Sequence, residues 1–586
     1  VYKRQEQVGV LPLPMVGRAR EGEELFRFIT GSSEDNFLQV IGGLGIGRIR
    51  LILREAQRAA EVGALVLLAS PDPSGLKASL YPIRSMLIGI LGLSDGGTPE
   101  SIREAIANLD LNERDIPGLL DLFGHETELA ELEEPVRRRE LLASTLRALA
   151  LPAVDNQAVL IFLNVDLYDQ HSQDLLRRLA ERSAEEGLRV VVSNDAEFST
   201  TWPDRVARLP LSELDDLALD TLTEHLRLRG KDAMPNRKEL IELCHRRPQH
   251  IEHMVRFVLE GGVAAAAPSS FADLVSERIG LLPYESQLLI QVAAIFGYEV
   301  PLSTLEVAAA EHFDSEQFHD ALAVLTVREL LAEEGGMVVF PHYLVREVVY
   351  DSTPADVRRV LHDLAYTSLN DDFTPDLILG HHADMADQAH LAAVLLERAG
   401  DAAVHQLDDK GACELYHRAL DASRKQLMSD PSEANEARYV TVSVKLADAL
   451  RITGDLILAR GVLAEARRYA QEAPALTAAI DRAEGSLLAL EGWLEPAEEC
   501  LRRGLGIAIQ TGQTKLMTEL YLDLASLLVR AGRTEAAIDE LREGIDLITF
   551  GEGPRGRGGP ASLWMLVFRV GKLEAGRGNL REAASM

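Results

Sequence analysis

The chain is poor in cysteine, in aromatic side chains and in positive charge. Its 586 residues include three cysteines, Cys244, Cys413 and Cys500. Their wide separation excludes a disulfide framework and a cysteine metal cluster, and it favours a reducing cytoplasm. Aromatic residues make up 5% of the sequence. This low share, together with many Ala, Leu, Glu and Arg residues, indicates a mainly helical protein.

Negative charge is in excess, because 92 Asp and Glu residues face 60 Lys and Arg residues, giving a net charge of −32. Such a chain repels nucleic acids and anionic membranes unless a local basic patch overrides its field. The basic run from Arg137 to Arg139 lies among acidic residues and is interpreted as a solvated helix face. No apolar run is long enough to span a bilayer, and no signal peptide is visible. We therefore expect a cytoplasmic protein that binds neither nucleic acid nor membrane.

The length of the chain predicts three to five domains, since a single core rarely grows this large. The sequence begins at Val1 without a methionine and stops at Met586 inside a helical pattern. We therefore expect a fragment of a longer protein.

A glycine-rich loop is the feature around which the other observations are arranged. An apolar run from Phe37 to Ile41 predicts a buried strand, and a helical pattern begins at Arg48. Between them lie four glycines: Gly42, Gly43, Gly45 and Gly47. Strand, glycine loop and helix form the context of a phosphate-binding P-loop, in which backbone N–H groups and a helix N-terminus face the phosphates.

The loop matches the P-loop spacing but not its two reactive residues. Gly42 and Gly47 are the outer glycines of G-x-x-x-x-G-K-[ST], with Gly45 and Ile46 between them. Arg48 stands where a lysine reaches the β- and γ-phosphates, and Ile49 stands where a hydroxyl binds magnesium. The sequence thus predicts a retained loop with a lost catalytic end.

A second short motif, Val16-Gly17-Arg18, precedes the glycine loop by about 25 residues. It resembles the V-G-R sequence that lies beside the adenine in AAA-type ATPases. A turn that begins a helix is the alternative interpretation.

Three further apolar runs predict a parallel sheet covered by helices on both faces: residues 64–70, 158–163 and 187–193. The second of these is followed by a segment that resembles the Walker B region of STAND signalling ATPases. Aligning the last aspartate of that pattern on Asp169 puts Leu163 and Asn164 at the two acidic positions. Neither residue can anchor magnesium or act as a good general base. Asp166 and Asp169 are either displaced metal ligands or loop residues that cap the next helix.

From Leu209 onward the pattern is helical. Arg246-Arg247-Pro248 resembles the G-x-P motif that begins the lid helix of STAND proteins, with arginine in place of the glycine. Pro248 is equally explained by the first position of a helix. The run from Gly261 to Pro268 is interpreted as a linker.

Residues 270–365 resemble the winged-helix domain of the same class. A hairpin is predicted at Gly335-Gly336, and the sequence from Phe340 to Tyr350 resembles its F-x-H-x-L-V-R-E…Y signature. The resemblance implies that His342 contacts the diphosphate of bound ADP. A packed or capping histidine is the alternative.

The last third of the chain repeats. A small residue is followed by alanine after 12 positions, a large residue after 16 and a small one after 19. Four units fit, starting at Gly400, Ala447, Gly485 and Ala525, and a fifth begins at Gly571. This is the tetratricopeptide pattern, in which small residues let paired helices approach closely. A flexible insertion is predicted between Phe550 and Pro560.

Taken together, the chain resembles the regulatory region of large bacterial STAND proteins, which are often attached to a kinase, a cyclase or a transcription regulator. The predicted fold is a multidomain one with an α/β P-loop domain and an all-α superhelix. The predicted segments are a tail (1–13), a P-loop NTPase-like domain (14–207), a helical lid (208–264), a winged helix (265–370) and tetratricopeptide-like repeats (371–586).

Two functions follow from this resemblance. The first is a signalling scaffold whose repeats bind a protein partner through their concave surface and whose P-loop core no longer hydrolyses ATP. The alternative is a nucleotide-switched ATPase that controls an attached output domain. The resemblance implies ATP or ADP as ligand, with magnesium poorly anchored and no catalytic residue. The residues expected at the nucleotide are Val16, Gly17, Arg18, Gly42, Gly43, Gly45, Ile46, Gly47, Arg48, Ile49 and His342.

Overall fold

The structure, a computed structural model, describes residues 15–33, 35–93, 98–108, 112–125, 127–131, 134–155, 158–185, 187–198, 202–203, 205–228, 235–370, 374–471, 473–550 and 560–579. The predicted tail, most of the predicted insertion and the end of the fifth repeat lie outside these residues. The chain divides into two units, residues 1–387 and 388–586.

A parallel sheet of five strands forms the centre of the first unit, in the spatial order β2-β3-β4-β1-β5. The strands are β1 Phe37–Ile41, β2 Leu65–Ala69, β3 Ala158–Phe162, β4 Arg189–Asn194 and β5 Ala207–Pro210. The four predicted strands are confirmed. The helix predicted from Leu209 is wrong at its start, because residues 207–210 pair with β1 and the helix begins only at Asp216. β5 thus crosses the predicted domain limit at residue 207.

Helices cover both faces of this sheet, which is why its strands are apolar almost throughout. The helices are α1 Ala19–Ile29, α2 Arg48–Glu61, α3 Tyr81–Leu91, α4 Pro99–Asn108, α5 Ile116–Leu122, α6 Glu134–Asp155 and α7 Gln170–Arg182. Val159 and Ile161 of β3 join one buried cluster with α1 and α2, whereas Leu160 and Phe162 join the other with α3 and α5 to α7.

The prediction that the basic run from Arg137 to Arg139 is a solvated helix face is wrong for Arg137. Arg137 of α6 donates two hydrogen bonds to the buried Asp121 and is only 11% exposed. Arg139 is 73% exposed, as expected for a solvated face.

Three helices follow the sheet: α8 Asp216–Leu228, α9 Arg237–Glu242 and α10 Pro248–Leu259. The predicted linker after α10 packs against the neighbouring helices. Ala264 and Ala267 are buried in the core that α8 and α10 build.

A second, antiparallel sheet of three short strands comes next, and we name residues 271–369 the small-sheet module. Its strands are β6 Glu299–Pro301, β7 Ala332–Glu334 and β8 Met337–Val339, in the order β6-β8-β7. The predicted hairpin is confirmed, with Gly335 and Gly336 at φ 59° and 83° between β7 and β8. Its helices are α11 Phe271–Gly280, α12 Tyr284–Phe296, α13 Leu302–Ala309, α14 Ser315–Val327, α15 Tyr343–Ser352 and α16 Ala355–Leu369. A further helix, α17 Asp376–Met385, packs against α16 beyond the predicted limit at residue 370.

The second unit is helical throughout its described residues. The helices are α18 Ala389–His405, α19 Asp409–Ser429, α20 Glu433–Thr453, α21 Leu456–Ala466, α22 Pro474–Glu491, α23 Leu494–Thr511, α24 Thr514–Arg530, α25 Thr534–Phe550 and α26 Pro560–Gly576. Successive helices pack in pairs, and the first four predicted repeat starts fall on the first helix of a pair. The fifth, Gly571, lies on α26. Gly454, Gly492, Gly532 and Gly578, which follow the first helices of successive repeats, all have positive φ.

None of the described helices is long and apolar enough to cross a lipid bilayer.

Candidate functional site

The glycine loop joins β1 to α2 with the backbone that its sequence predicts. Gly45 and Gly47 have φ of 76° and 92°, a region that only glycine enters at little cost. Gly47 is the N-cap of α2, and no side chain caps this helix end. The first-turn N–H groups of α2 are therefore available to an anionic ligand.

The topology places this loop where α/β proteins bind ligands. β1 lies between β4 and β5, although the chain runs from β1 to β2 at the far edge of the sheet. Such a reversal of strand order leaves a crevice beyond the carboxyl ends of the strands.

Arg48 does not extend into solvent. It is 5% exposed, and its Nη1 lies 4.0 Å from Oδ2 of Asp195, the residue that follows β4. Both of these atoms are buried without a hydrogen-bond partner. Ile49 packs against the core cluster of α1 and α2, so it contributes packing where a P-loop hydroxyl would bind metal.

The two aspartates that follow β3, whose roles the sequence left open, make different contacts. Asp169 caps α7, because its Oδ1 accepts the backbone N–H of Ser172 at 2.9 Å. Asp166 instead accepts the backbone N–H of Asp195 at 3.1 Å and faces the charge of Arg48. Burial raises the pKa of Asp166, and the positive charge of Arg48 opposes this rise. The capping alternative thus holds for Asp169 but not for Asp166.

Leu163 and Asn164, which align with the two acidic Walker B positions, carry no carboxylate. Leu163 is buried in the core. Asn164 has φ 50° and ψ 56°, and its backbone N–H donates to Ser193 Oγ at 2.9 Å. Asn194, the last residue of β4, accepts a hydrogen bond from Gln39 at 2.8 Å and so links β4 to β1.

Arg18 connects the Val16-Gly17-Arg18 turn to the glycine loop. It is 6% exposed and donates to the backbone oxygens of Ile46 and Ser212. Gly17 has φ 66°, and a Cβ there would lie 2.7 Å from Cβ of Ala218. The turn begins α1, as the alternative interpretation predicts, and it also lies against the glycine loop.

A narrow cavity lies beside this turn, with a volume of about 40 Å³. Since one water needs about 10–15 Å³ on this scale, the cavity has room for a few waters at its present width. The walls are built by Met15, Val16, Arg18, Ile46, Gly47, Arg50, Leu214, Leu222 and Pro248.

The helix α10 touches the glycine loop directly. Pro248 is at the first position of α10, and the backbone N–H of Gln249 donates to Gly45 O at 3.1 Å. Arg246 stands where the resemblance predicts glycine, and its φ is +56°. The chain therefore keeps a backbone conformation that glycine favours, although the residue is arginine.

His342 lies at the N-cap position of α15 but makes no side-chain cap. Its ring centroid is 5.8 Å from that of His253 on α10. Burial lowers the pKa of His342, and the nearby Glu252 opposes this. The packed alternative describes these contacts, and a phosphate contact stays a prediction.

Two residues of this site were missed by the sequence analysis, Asp195 and Tyr343. Burial raises the pKa of Tyr343 to about 12, and the charges of Arg48, Asp166 and Asp195 all act on its phenol. Only its place directly after His342 could have pointed to it.

These residues fit a phosphate group. The glycine backbone, the open end of α2 and the orphaned Nη1 of Arg48 suit phosphate oxygens. The described residues contain no group of three or more His, Cys, Asp or Glu side chains arranged to hold a metal ion.

No known family profile matches the chain. An uncharacterized protein of Rhizobium meliloti (strain 1021) is 23% identical over 459 residues, which is 72% of this chain and 44% of that protein. A STAND protein with a tetratricopeptide repeat sensor from Pyrococcus horikoshii has a TM-score of 0.43 at 15% identity, covering 98% of this chain and 82% of its own. A Walker-type ATPase of Pyrococcus abyssi has a TM-score of 0.25 at 12% identity, covering 57% and 96%. The chain thus spans less than half the length of the curated relative that it matches.

Proposed function

We propose that this chain is a regulatory region of a signalling protein, in which a STAND-like P-loop core binds ADP or ATP without hydrolysing it. The observation that carries this proposal is Arg48. It starts α2 directly after the left-handed Gly47, and a buried donor of its guanidinium has no hydrogen-bond partner. A phosphate oxygen supplies that acceptor, and a guanidinium binds phosphate strongly.

The absence of hydrolysis rests on the neighbouring strand. Leu163 and Asn164 offer neither a metal carboxylate nor a general base at the positions where the Walker B resemblance expects them. The small-sheet module acts as the winged helix, and α8 to α10 act as the lid that must move for adenine to enter.

The test is a thermal-shift measurement of the whole chain with ADP, ATP and each nucleotide plus magnesium. A ligand at 100 times its Kd stabilises the folded state by about 2.7 kcal/mol. We expect a shift that Arg48→Ala abolishes and that Arg20→Ala, an exposed change of equal charge on α1, leaves intact. No shift at millimolar nucleotide would reject the proposal.

The helical repeats form a second functional surface, for a protein partner. Ile457 and Trp493 are 89% and 61% exposed in the second and third pairs, and exposed large apolar residues are typical of interfaces. Between the first helices of the first two pairs, Lys445 pairs with Glu397 and Asp401 at 2.8 and 2.7 Å. Trp493→Ala and Lys445→Ala test the apolar and the charged part of the repeats in quantitative co-purification, with the exposed polar change Gln510→Ala as control. A partner retained by all three variants would place the interface elsewhere.

A further inference from the structure

Two carboxylates converge on the glycine loop although the acidic Walker B positions are lost. Asp166 follows β3 and Asp195 follows β4, two strands that pair with each other. The backbone N–H of Asp195 donates to Asp166 Oδ1 at 3.1 Å, and Arg48 Nη1 lies 4.0 Å from Asp195 Oδ2.

Two buried polar atoms of this group have no hydrogen-bond partner, Nη1 of Arg48 and Oδ2 of Asp195. Oδ1 of Asn164, two residues before Asp166, is also buried without a partner. Arg48 and Asn164 are 5% and 8% exposed. A buried polar group without a partner is destabilising, so these atoms favour a bound species. Carboxylate and amide oxygens are the ligands that Mg²⁺ prefers.

The 4.0 Å separation between Arg48 Nη1 and Asp195 Oδ2 suits a phosphate oxygen shared with a metal ion. Two oxygens that each lie about 2.1 Å from one magnesium ion, with an O–Mg–O angle of about 90°, are roughly 3.0 Å apart. A phosphate oxygen can therefore lie about 3.0 Å from Asp195 Oδ2 and also accept a hydrogen bond from Arg48 Nη1 at about 2.9 Å. The 4.0 Å distance is compatible with this arrangement.

The charges around Arg48 also favour a bound cation. A phosphate that approaches Arg48 also meets two carboxylates, which repel it more than one guanidinium attracts it at equal distance. A divalent cation between the carboxylates and the phosphate removes this repulsion. Asp169 does not share in the site, because its carboxylate caps α7.

We infer that Asp166 and Asp195 together hold the divalent cation of a bound nucleotide, in place of the acidic residues absent at positions 163 and 164. This inference rests on the proposed nucleotide site. It replaces the expectation of a poorly anchored magnesium ion by a displaced site with named ligands.

The test measures ADP binding to the full chain by titration calorimetry, with magnesium and with EDTA. Manganese replaces magnesium in a parallel experiment, in which loss of the free Mn²⁺ electron-spin signal reports the bound ion directly. The variants are Asp166→Asn and Asp195→Asn, which keep an oxygen acceptor. Glu197→Gln, an exposed change of equal charge in the same loop, is the matched control, and unfolding without ligand checks that all variants fold.

We expect ADP to bind the wild-type chain and Glu197→Gln at least about tenfold more tightly with magnesium, and Mn²⁺ to bind only together with ADP. In both aspartate variants magnesium should change the affinity for ADP by less than about twofold. Their metal-free affinity for ADP should stay equal or increase, because a carboxylate that repels the phosphate is gone.

Equal ADP binding with EDTA and with magnesium in the wild-type chain would overturn the inference and leave the nucleotide site standing. Magnesium dependence that persists in both aspartate variants would assign the cation to other ligands. No ADP binding under any condition would overturn the proposed function and the inference together.

Discussion

Gly400 of α18 packs directly against the ring of Tyr416 on α19. A Cβ on Gly400 would lie 2.5 Å from Cε1 of Tyr416, and the phenol of Tyr416 donates to Asp401 at 2.7 Å. The same pairing recurs two helix pairs further along, where a Cβ on Gly485 would lie 2.6 Å from Cγ of Leu501. These are the small and large positions, 16 residues apart, that the repeat pattern predicts.

The first prediction concerns this close approach. Gly400→Ala should destabilise the second unit by about 1–3 kcal/mol, because the tyrosine ring cannot move aside without losing its packing. Gly461→Ala in α21 is the matched control, since nothing lies within 4 Å of its new methyl group. The control should gain up to about 1 kcal/mol from helix propensity. Urea unfolding of the two variants measures both effects, and equal stabilities would contradict the assigned contact.

The second prediction concerns the left-handed Arg246. Its guanidinium pairs with Asp216 at 2.7 Å, so Arg246→Ala and Arg246→Gly both lose this exposed ion pair. They differ in that alanine keeps the backbone strain of φ +56° and glycine does not. We expect the glycine variant to be more stable than the alanine variant by about 1 kcal/mol.

Calorimetry of these two variants is the measurement. A glycine variant that is less stable than the alanine variant would mean that residue 246 is not left-handed in solution.

The third prediction separates capping from metal binding at the end of β3. Asp169→Ala should cost about 0.5–2 kcal/mol of stability, because it removes the N-cap of α7. It should leave the metal dependence of ADP binding unchanged. Asp169→Asn keeps an acceptor for Ser172 and should retain most of the stability. A loss of metal dependence in the asparagine variant would assign Asp169 to the metal instead.

The fourth prediction concerns hydrolysis. Arg48→Lys combined with Ile49→Thr rebuilds the end of the P-loop consensus. We expect no ATP turnover above background in a phosphate-release assay, because Leu163 and Asn164 still supply no general base. Turnover in this double variant would show that another residue activates the water and that the alignment of β3 is wrong.

The fifth prediction is an acid sensitivity of the first unit. His362 Nδ1 and His382 Nδ1 are 2.9 Å apart and buried, and His362 Nε2 lies 3.0 Å from the phenol of Tyr350. Burial lowers the pKa of His362 to about 3 and that of His382 to about 4, and Arg346 adds to both shifts. Arg358 also acts on His362.

Both pKa values are lower in the folded state than the ordinary value of 6.5. The free energy of unfolding is therefore fully retained above pH 6.5 and falls as the pH drops toward 4. Each histidine lowers it by at most about 1.4 kcal/mol per pH unit. Chemical unfolding between pH 7 and 4.5 measures this loss. His382→Gln should flatten the profile, whereas the exposed His312→Gln should not. A profile unchanged by His382→Gln would contradict a neutral buried pair.

Much of the fold follows from local patterns. The apolar runs at β1 to β4 stand out because both of their faces are buried, and the glycines at 45 and 47 because the loop needs a positive φ there. β5 was missed because a four-residue edge strand has too little periodicity to separate it from a following helix.

Sequence by itself determined the glycine loop, the repeat spacing and the replacement of the P-loop lysine and hydroxyl by Arg48 and Ile49, since each depends on residues close in the chain. Tertiary structure alone decided what faces Arg48. Asp195 and Tyr343 come from distant segments, and they meet Arg48 only because β1 pairs with β4 and the small-sheet module packs on the same edge. Proximity between distant segments is set by topology and packing, which no local pattern encodes.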